Sequence, residues 1–182
     1  MAKHPGRDEA SAGSIEVVDY DPEWPALFEA EAERIRAACG RVVVEIEHIG
    51  STSVPGLAAK PIIDIMPGVE DIAGARARLE AGMRGLGYES LGEYGIPGRL
   101  YFRKGVPRSH HVHVFEVGKP EWRKHLLFRD YLRAHGEAVE EYAAMKRRLA
   151  ARHRTAREAY TDAKSPFIQG ILELAGWRAN ES

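Results

Sequence analysis

The sequence predicts an α/β fold, a mixed β-sheet flanked by helices and continued by a helical C-terminal part from about residue 121. Three observations carry this. Apolar, β-branched runs alternate with stretches of helical period; Gly- and Pro-rich segments punctuate them; and beyond Glu121 the composition shifts to helix formers. A length of 182 residues fits one domain, here 14–182, with residues 1–13 as a polar tail.

The elements follow in order. SIEVVDYDPEW reads as a short strand running into a turn at Asp21-Pro22. Leu27, Phe28, Ala32, Ile35 and Ala38 recur at helical spacing after Pro25, and Gly40 is a natural stop, so residues 25–39 form an amphipathic helix. RVVVEIEHIG is a strand that delivers His48 and Gly50 to its C-terminal edge. The turn-rich STSVPGLAAKP suggests a short helix, and IIDIMPGV is an apolar strand interrupted by Asp64. A helix over 71–86 places Ile72, Ala75, Leu79 and Met83 inward, and Tyr88 to Leu91 starts another strand. GEYGIPG is a loop, after which RLYFRKG and SHHVHVFEV pair as a β-hairpin. Three helices follow, the first ending at Gly136, the second over 137–153 and the third from about Thr155.

Composition narrows the function classes. At 44% apolar and 29% charged residues the chain is an ordinary globular protein. No apolar run approaches the roughly 20 residues of a membrane helix, and the start lacks a signal-like stretch, so a cytoplasmic location is the default expectation. The lone Cys39 is a small packing residue. A net charge of -1 argues against strong nonspecific nucleic-acid binding. It hides an asymmetry: residues 8–47 hold 11 acids and 3 bases, whereas 121–157 hold 10 bases and 5 acids, a half suited to face an anion or to present a solvated helix surface.

The chemistry concentrates in EHIGSTSVPGLAAKPIIDI, residues 47–65. Gly50 and Ser51, followed by Thr52 and Ser53, present backbone N–H groups and hydroxyls at a strand edge, and a following helix N-terminus would add positive charge suited to phosphate. Lys60 is placed to neutralise a phosphate oxygen, and Asp64 to hold Mg²⁺ against a di- or triphosphate. The alternative is an ordinary turn capped by Ser53, with Asp64 paired to a base. A carboxylate flanked by Ile-Ile and Ile-Met is costly in an apolar strand unless paired or metal-bound, which favours a functional Asp64.

His111 and His113 share one strand face and converge with Asp64, a set that suits Mn, Fe or Zn better than Mg, with Glu116 as an alternative acid at the strand's end. The other reading has these histidines hydrogen-bonding to phosphate or to Asp64 without a metal. His48 is a base, a phosphate contact or a structural hydrogen-bond partner. Arg99 and Arg103, alternating along a strand, face cleft or solvent.

Five segments, IEVVDYDPEWPALFEAE, IEHIGSTSVPGLAAKPIIDI, HHVHVFE, LLFRDYLRAH and YTDAKSPFI, closely resemble the GrpB family, small bacterial proteins also found fused behind dephospho-CoA kinase. The resemblance runs from about Ile15 to Trp177. It implies the nucleotidyltransferase superfamily, marked by a Gly-Ser before one helix, an acid-x-acid pair on the next strand and a third acid beyond. Gly50-Ser51 and Asp64 match, but Met66 stands where the second acid belongs, and two metal ions are held poorly by one carboxylate. The resemblance also brings Arg129 and Arg133, and the run Tyr160, Asp162, Lys164, Ser165, to the cleft, with Lys164 as a phosphate contact; Asp162 is alternatively the N-cap of the last helix. The leading expectation is a protein that binds a nucleotide or another phosphorylated small molecule, with a divalent metal and transfer of a nucleotidyl group. The competing ones are a catalytically inactive ligand-binding or partner-stabilising module, and a transition-metal enzyme built on Asp64 and the paired histidines.

Overall fold

A computed structural model describes residues 14–178; the tail expected at 1–13 lies outside the described residues. The order is α1 (Trp24–Cys39), β1 (Glu45–Ile49), β2 (Ile63–Val69), α2 (Ile72–Gly85), β3 (Glu89–Ser90), β4 (Leu100–Lys104), β5 (His110–Glu116), α3 (Pro120–Ala134), α4 (Gly136–His153) and α5 (Arg157–Leu174). Five strands form one mixed sheet in the order β1-β2-β5-β4-β3. Among the described residues only β2 and β5 run parallel, joined by a crossover through α2, β3 and β4; the other neighbours are antiparallel.

The helical and strand periods explain the layers. Phe28, Ala32 and Ile35 on α1 and Ala75, Leu79 and Met83 on α2 pack on Ile63, Ile65, Val112 and Val114 of the central strands. Gly82 lets the two helices close up: a Cβ there would lie 2.8 Å from Cys39 Sγ, and Cys39 is indeed buried. α2 is capped by Asp71, whose carboxylate accepts from the N–H groups of Ala73 and Gly74. A second core, built on Leu57, Leu132, Tyr142 and Ile171, joins α3, α4 and α5 to the segment between β1 and β2. Among the described residues no helix is long and apolar enough to cross a membrane.

Two expectations change. SIEVVDYDPEW forms only an isolated bridge between Val18 and Ala59, because Ile15 turns away to pack against Ala150 and Tyr160. The short helix expected after Ser51 is a single 3₁₀ turn, Ser51–Ser53, which has no helix N-terminus to offer an anion.

Candidate functional site

The site lies where β1 ends and β2 and β5 begin. Gly50 leaves β1 with φ 68°, a left-handed conformation that suits glycine, and folds the Ser51–Ser53 turn over β2. A Cβ at position 50 would sit 2.4 Å from Asp64 Oδ2, so glycine is also what allows the turn to rest on the carboxylate. Asp64 is in register with Ile49 on one side and His111 on the other. His111 Nδ1 is 3.2 Å from Asp64 Oδ1, and His113 Nε2 is 3.6 Å from the same oxygen. Burial works to raise the Asp64 pKa, but the hydrogen bond from His111 and the contact with His113 outweigh it and hold the carboxyl well below its usual range. Burial pushes His113 down to about 4 against the pull of Asp64, so its ring is neutral at neutral pH.

Around this acid stands a cationic wall. Among the described residues a cleft of about 930 Å³ is lined by Lys60, Lys146, Lys164, Arg99, Arg108 and Arg157, against the acids Asp64, Glu158 and Asp162. Lys146, only 2% exposed, donates to Ser51 Oγ at 2.8 Å and lies 4.4 Å from the Tyr142 ring centroid; among the described residues no carboxylate pairs with it. Burial, then the charges of Lys164 and Arg147, push its ammonium down to about 7. Burial and Lys60 push Lys164 down to about 8, and burial lowers Lys60 as well. Lys60 and Lys164 both lie over the ring of Tyr160, at 5.5 and 4.8 Å from its centroid. Buried cations that lower one another's pKa are stabilised by an anion bound beside them.

Of the residues predicted from sequence, Ser51, Thr52, Lys60, Asp64, Arg99, His111, His113 and Lys164 all line this cleft, and Gly50 backs Asp64. The Thr52 hydroxyl is engaged with His48. Several expectations are corrected. His48 is not at the cleft: it stacks on Phe28 with centroids 4.6 Å apart, its Nε2 lies 3.0 Å from Thr52 Oγ1, and burial lowers it to about 4, which makes it a support for the turn rather than a base. Ser53 turns its hydroxyl onto the Gly50 carbonyl at 2.6 Å and holds the turn instead of a phosphate. Glu116 sits opposite Val69, roughly 16 Å along the strand from His111, and accepts from the Ile72 N–H, so it is no ligand partner of Asp64.

Arg129 and Arg133 also leave the cleft. Arg129 donates to Glu47 at 2.5 Å and to the His48 carbonyl at 3.2 Å, and Arg133 donates twice to the Ser53 carbonyl, so both pin the β1 end and its turn. Arg103 pairs with Glu89 at 2.7 Å on the far strand edge. Asp162 lies inside α5 and lines the cleft, not at an N-cap.

Sequence reasoning missed Lys146, Arg108, Arg157 and Tyr101 as lining residues, whereas Tyr160, Asp162 and Lys164 line the cleft as the resemblance implied. For Lys146 a signal existed: Tyr142, Lys146 and Ala150 repeat every four residues on the inner face of α4, so the lysine stands on an apolar stripe and not on the solvated one.

The two-metal arrangement of the nucleotidyltransferase superfamily does not fit. Met66, on the same face of β2 as Asp64, is fully buried among Ile49, Phe115 and Trp122, an apolar pocket where a metal-binding acid would have to be. A single ion finds ligand atoms of Asp64, His111 and His113 within 4.8 Å of one another. The second nitrogen of His113 meets a donor, however: Arg99 Nη1 lies 3.2 Å from Nδ1.

A mixed sheet whose glycine-led turn folds over one aspartate, with a helical C-terminal part completing a cationic cleft, defines an α/β protein with one cleft-forming sheet edge. The chain belongs to the GrpB family: a family model described as "GrpB protein" matches residues 14–174. It is similar to the crystal structure of conserved protein GrpB from Enterococcus faecalis, with a TM-score of 0.82 and 40% identity over 88% of this chain and 96% of that one. UPF0157 protein YqkA of Bacillus subtilis is 44% identical over 162 residues, 88% of this chain and 47% of the relative. A protein named dephospho-CoA kinase in Mycolicibacterium paratuberculosis is 31% identical over 197 residues, 90% of this chain and 48% of that protein. The chain thus spans about half the length of these two relatives.

Proposed function

We propose that the cleft binds a nucleotide or another phosphorylated small molecule of the cytoplasm, with its phosphates on Lys60, Lys146, Lys164 and the Ser51 turn. The observation that carries this is the buried ammonium of Lys146: it touches Ser51 and an aromatic ring, has two further lysines as neighbours, and has no carboxylate partner among the described residues. A polyanion supplies the missing charge. The cleft volume of about 930 Å³ falls in the range of small-molecule sites. The similarity to proteins named dephospho-CoA kinase supports a nucleotide-related role beside such an enzyme.

Transfer of a nucleotidyl group is the finer reading that the fold suggests. Apolar Met66 in place of the second acid favours a ligand-binding module, or chemistry without two metal ions, over metal-dependent transfer. Calorimetric titration with nucleoside triphosphates, pyrophosphate and CoA precursors, with and without Mg²⁺, tests the reading. One of them is expected to bind, and at least tenfold more weakly to the Lys60→Met, Lys164→Met double variant. Absence of binding by all of them, or equal binding by the variant, refutes it.

A further inference from the structure

We infer that Asp64, His111 and His113 form a metal-free proton relay, in which His111 Nε2 is the proton acceptor of the cleft and Arg99 is the positioning residue that excludes a cation. Hydrogen-bond polarity carries the inference. A guanidinium only donates, so Nδ1 of His113, 3.2 Å from Arg99 Nη1, must accept. The ring proton of neutral His113 therefore sits on Nε2, the nitrogen that faces Asp64 Oδ1.

An ionised carboxylate only accepts, so His111 gives its Nδ1–H to the same oxygen at 3.2 Å. That leaves His111 Nε2 as an acceptor, with no protein partner among the described residues, on a ring that lines the cleft. A carboxylate on Nδ1–H of a histidine whose Nε2 is open is the arrangement of a general base and its orienting acid.

A metal on His113 Nε2 would force the ring proton to Nδ1, against the guanidinium. Metal-bound histidines give that second N–H to an acceptor, and Arg99 has none. Nor is Arg99 free to swing aside. It is 5% exposed, donates to the Glu93 carbonyl at 3.2 Å and to the Tyr94 carbonyl at 2.8 Å, and lies 4.6 Å from the Tyr101 ring centroid.

The chemistry assigned to His111 rests on the phosphorylated-ligand reading of the cleft; the tautomers do not. With a phosphoanhydride bound, a water or alcohol oxygen bonds to phosphorus while its proton passes to His111 Nε2. The bond from phosphorus to the leaving phosphate breaks with its electron pair, and the imidazolium, held by Asp64, returns the proton to that leaving oxygen.

Long-range ¹H–¹⁵N spectra of the full chain test the relay. His111 is expected to be protonated at Nδ1 and His113 at Nε2, and equimolar Zn²⁺ should leave both patterns in place. Arg99→Gln, whose amide oxygen accepts from Nδ1–H, should bind Zn²⁺ at least tenfold more tightly than the wild type. Diethyl pyrocarbonate should modify His111 before His113. A wild-type His113 protonated at Nδ1, stoichiometric Zn²⁺ binding that shifts both rings, or an inert His111 overturns the inference, and these spectra decide it even if the Arg99 variant does not fold. A cleft that binds no phosphorylated ligand would show itself in the titrations and leave the spectra as expected.

Discussion

Replacing Lys146 with Met should make the empty protein more stable below neutral pH while weakening its grip on anions. The ammonium is buried, and burial with its cationic neighbours brings it down to about 7, whereas an unfolded chain has a lysine near its ordinary value of about 10.5. That gap of roughly 3.5 units corresponds to about 5 kcal/mol of penalty for the charged form. Against it, methionine forfeits the bond to Ser51, about 1 kcal/mol, and the contact with the Tyr142 ring, about another 1 kcal/mol. The balance is a gain of about 3 kcal/mol, or roughly 6–12 °C in Tm for a domain of this size.

The sign depends on pH. Below about 7 the lysine is protonated in both states and the folded protein carries the full penalty. Above about 7 only the unfolded chain keeps the proton, so wild-type stability climbs by about 1.4 kcal/mol per pH unit and the advantage of the variant disappears at about pH 9. Urea denaturation of both proteins at about pH 6 and about pH 9.5 measures this directly. A variant less stable than the wild type at the lower pH would refute the reasoning.

Other perturbations probe the remaining geometry. Sulfate, whose charge is constant over this range, should bind most tightly below about pH 7 and progressively more weakly as Lys146 and Lys164 deprotonate, by up to about tenfold per pH unit for each lysine, measured by titration at fixed ionic strength; a flat profile would contradict the cationic site. Gly50→Ala should cost about 2–4 kcal/mol, part from φ 68° and part from the Cβ that meets Asp64, read from urea midpoints; wild-type stability would show that the turn does not rest on the carboxylate. Met66→Asp should destabilise by about 4 kcal/mol or more and gain no affinity for Mg²⁺, because the new carboxylate would lie among Ile49, Phe115 and Trp122; a stable variant with raised Mg²⁺ affinity would overturn that account.

Much of this was legible in the sequence. The α1 and α2 helices, the apolar β2 strand with its one acid and the β4–β5 hairpin all show their period, so their type follows from residue spacing. Asp64 stands out for the same reason, as a charge that breaks an apolar strand. What stayed hidden depends on which way a side chain turns. His48 and Ser53 are adjacent to the site in sequence yet face inward, and Arg129 and Arg133 look like anion contacts but bind carbonyls and Glu47. Lys146 hides in a charged run, MKRRLAARH, where only its position relative to Tyr142 reveals that it is inside. Glu116 shows the limit of motif spacing: it ends the right strand, but five residues too far along.

The parallel pairing of β2 with β5 has a consequence for how this site tolerates change. Asp64 and His111 are 47 positions apart in the chain, yet their meeting depends on strand alignment alone. Inserting residues between α2 and β4 lengthens the detour without disturbing the encounter, whereas deleting one residue between Gly105 and Ser109 threatens to slide Val112 and Val114 into the seats of His111 and His113. The cleft is therefore forgiving of growth in its longest excursion and intolerant of a single missing residue in its shortest one.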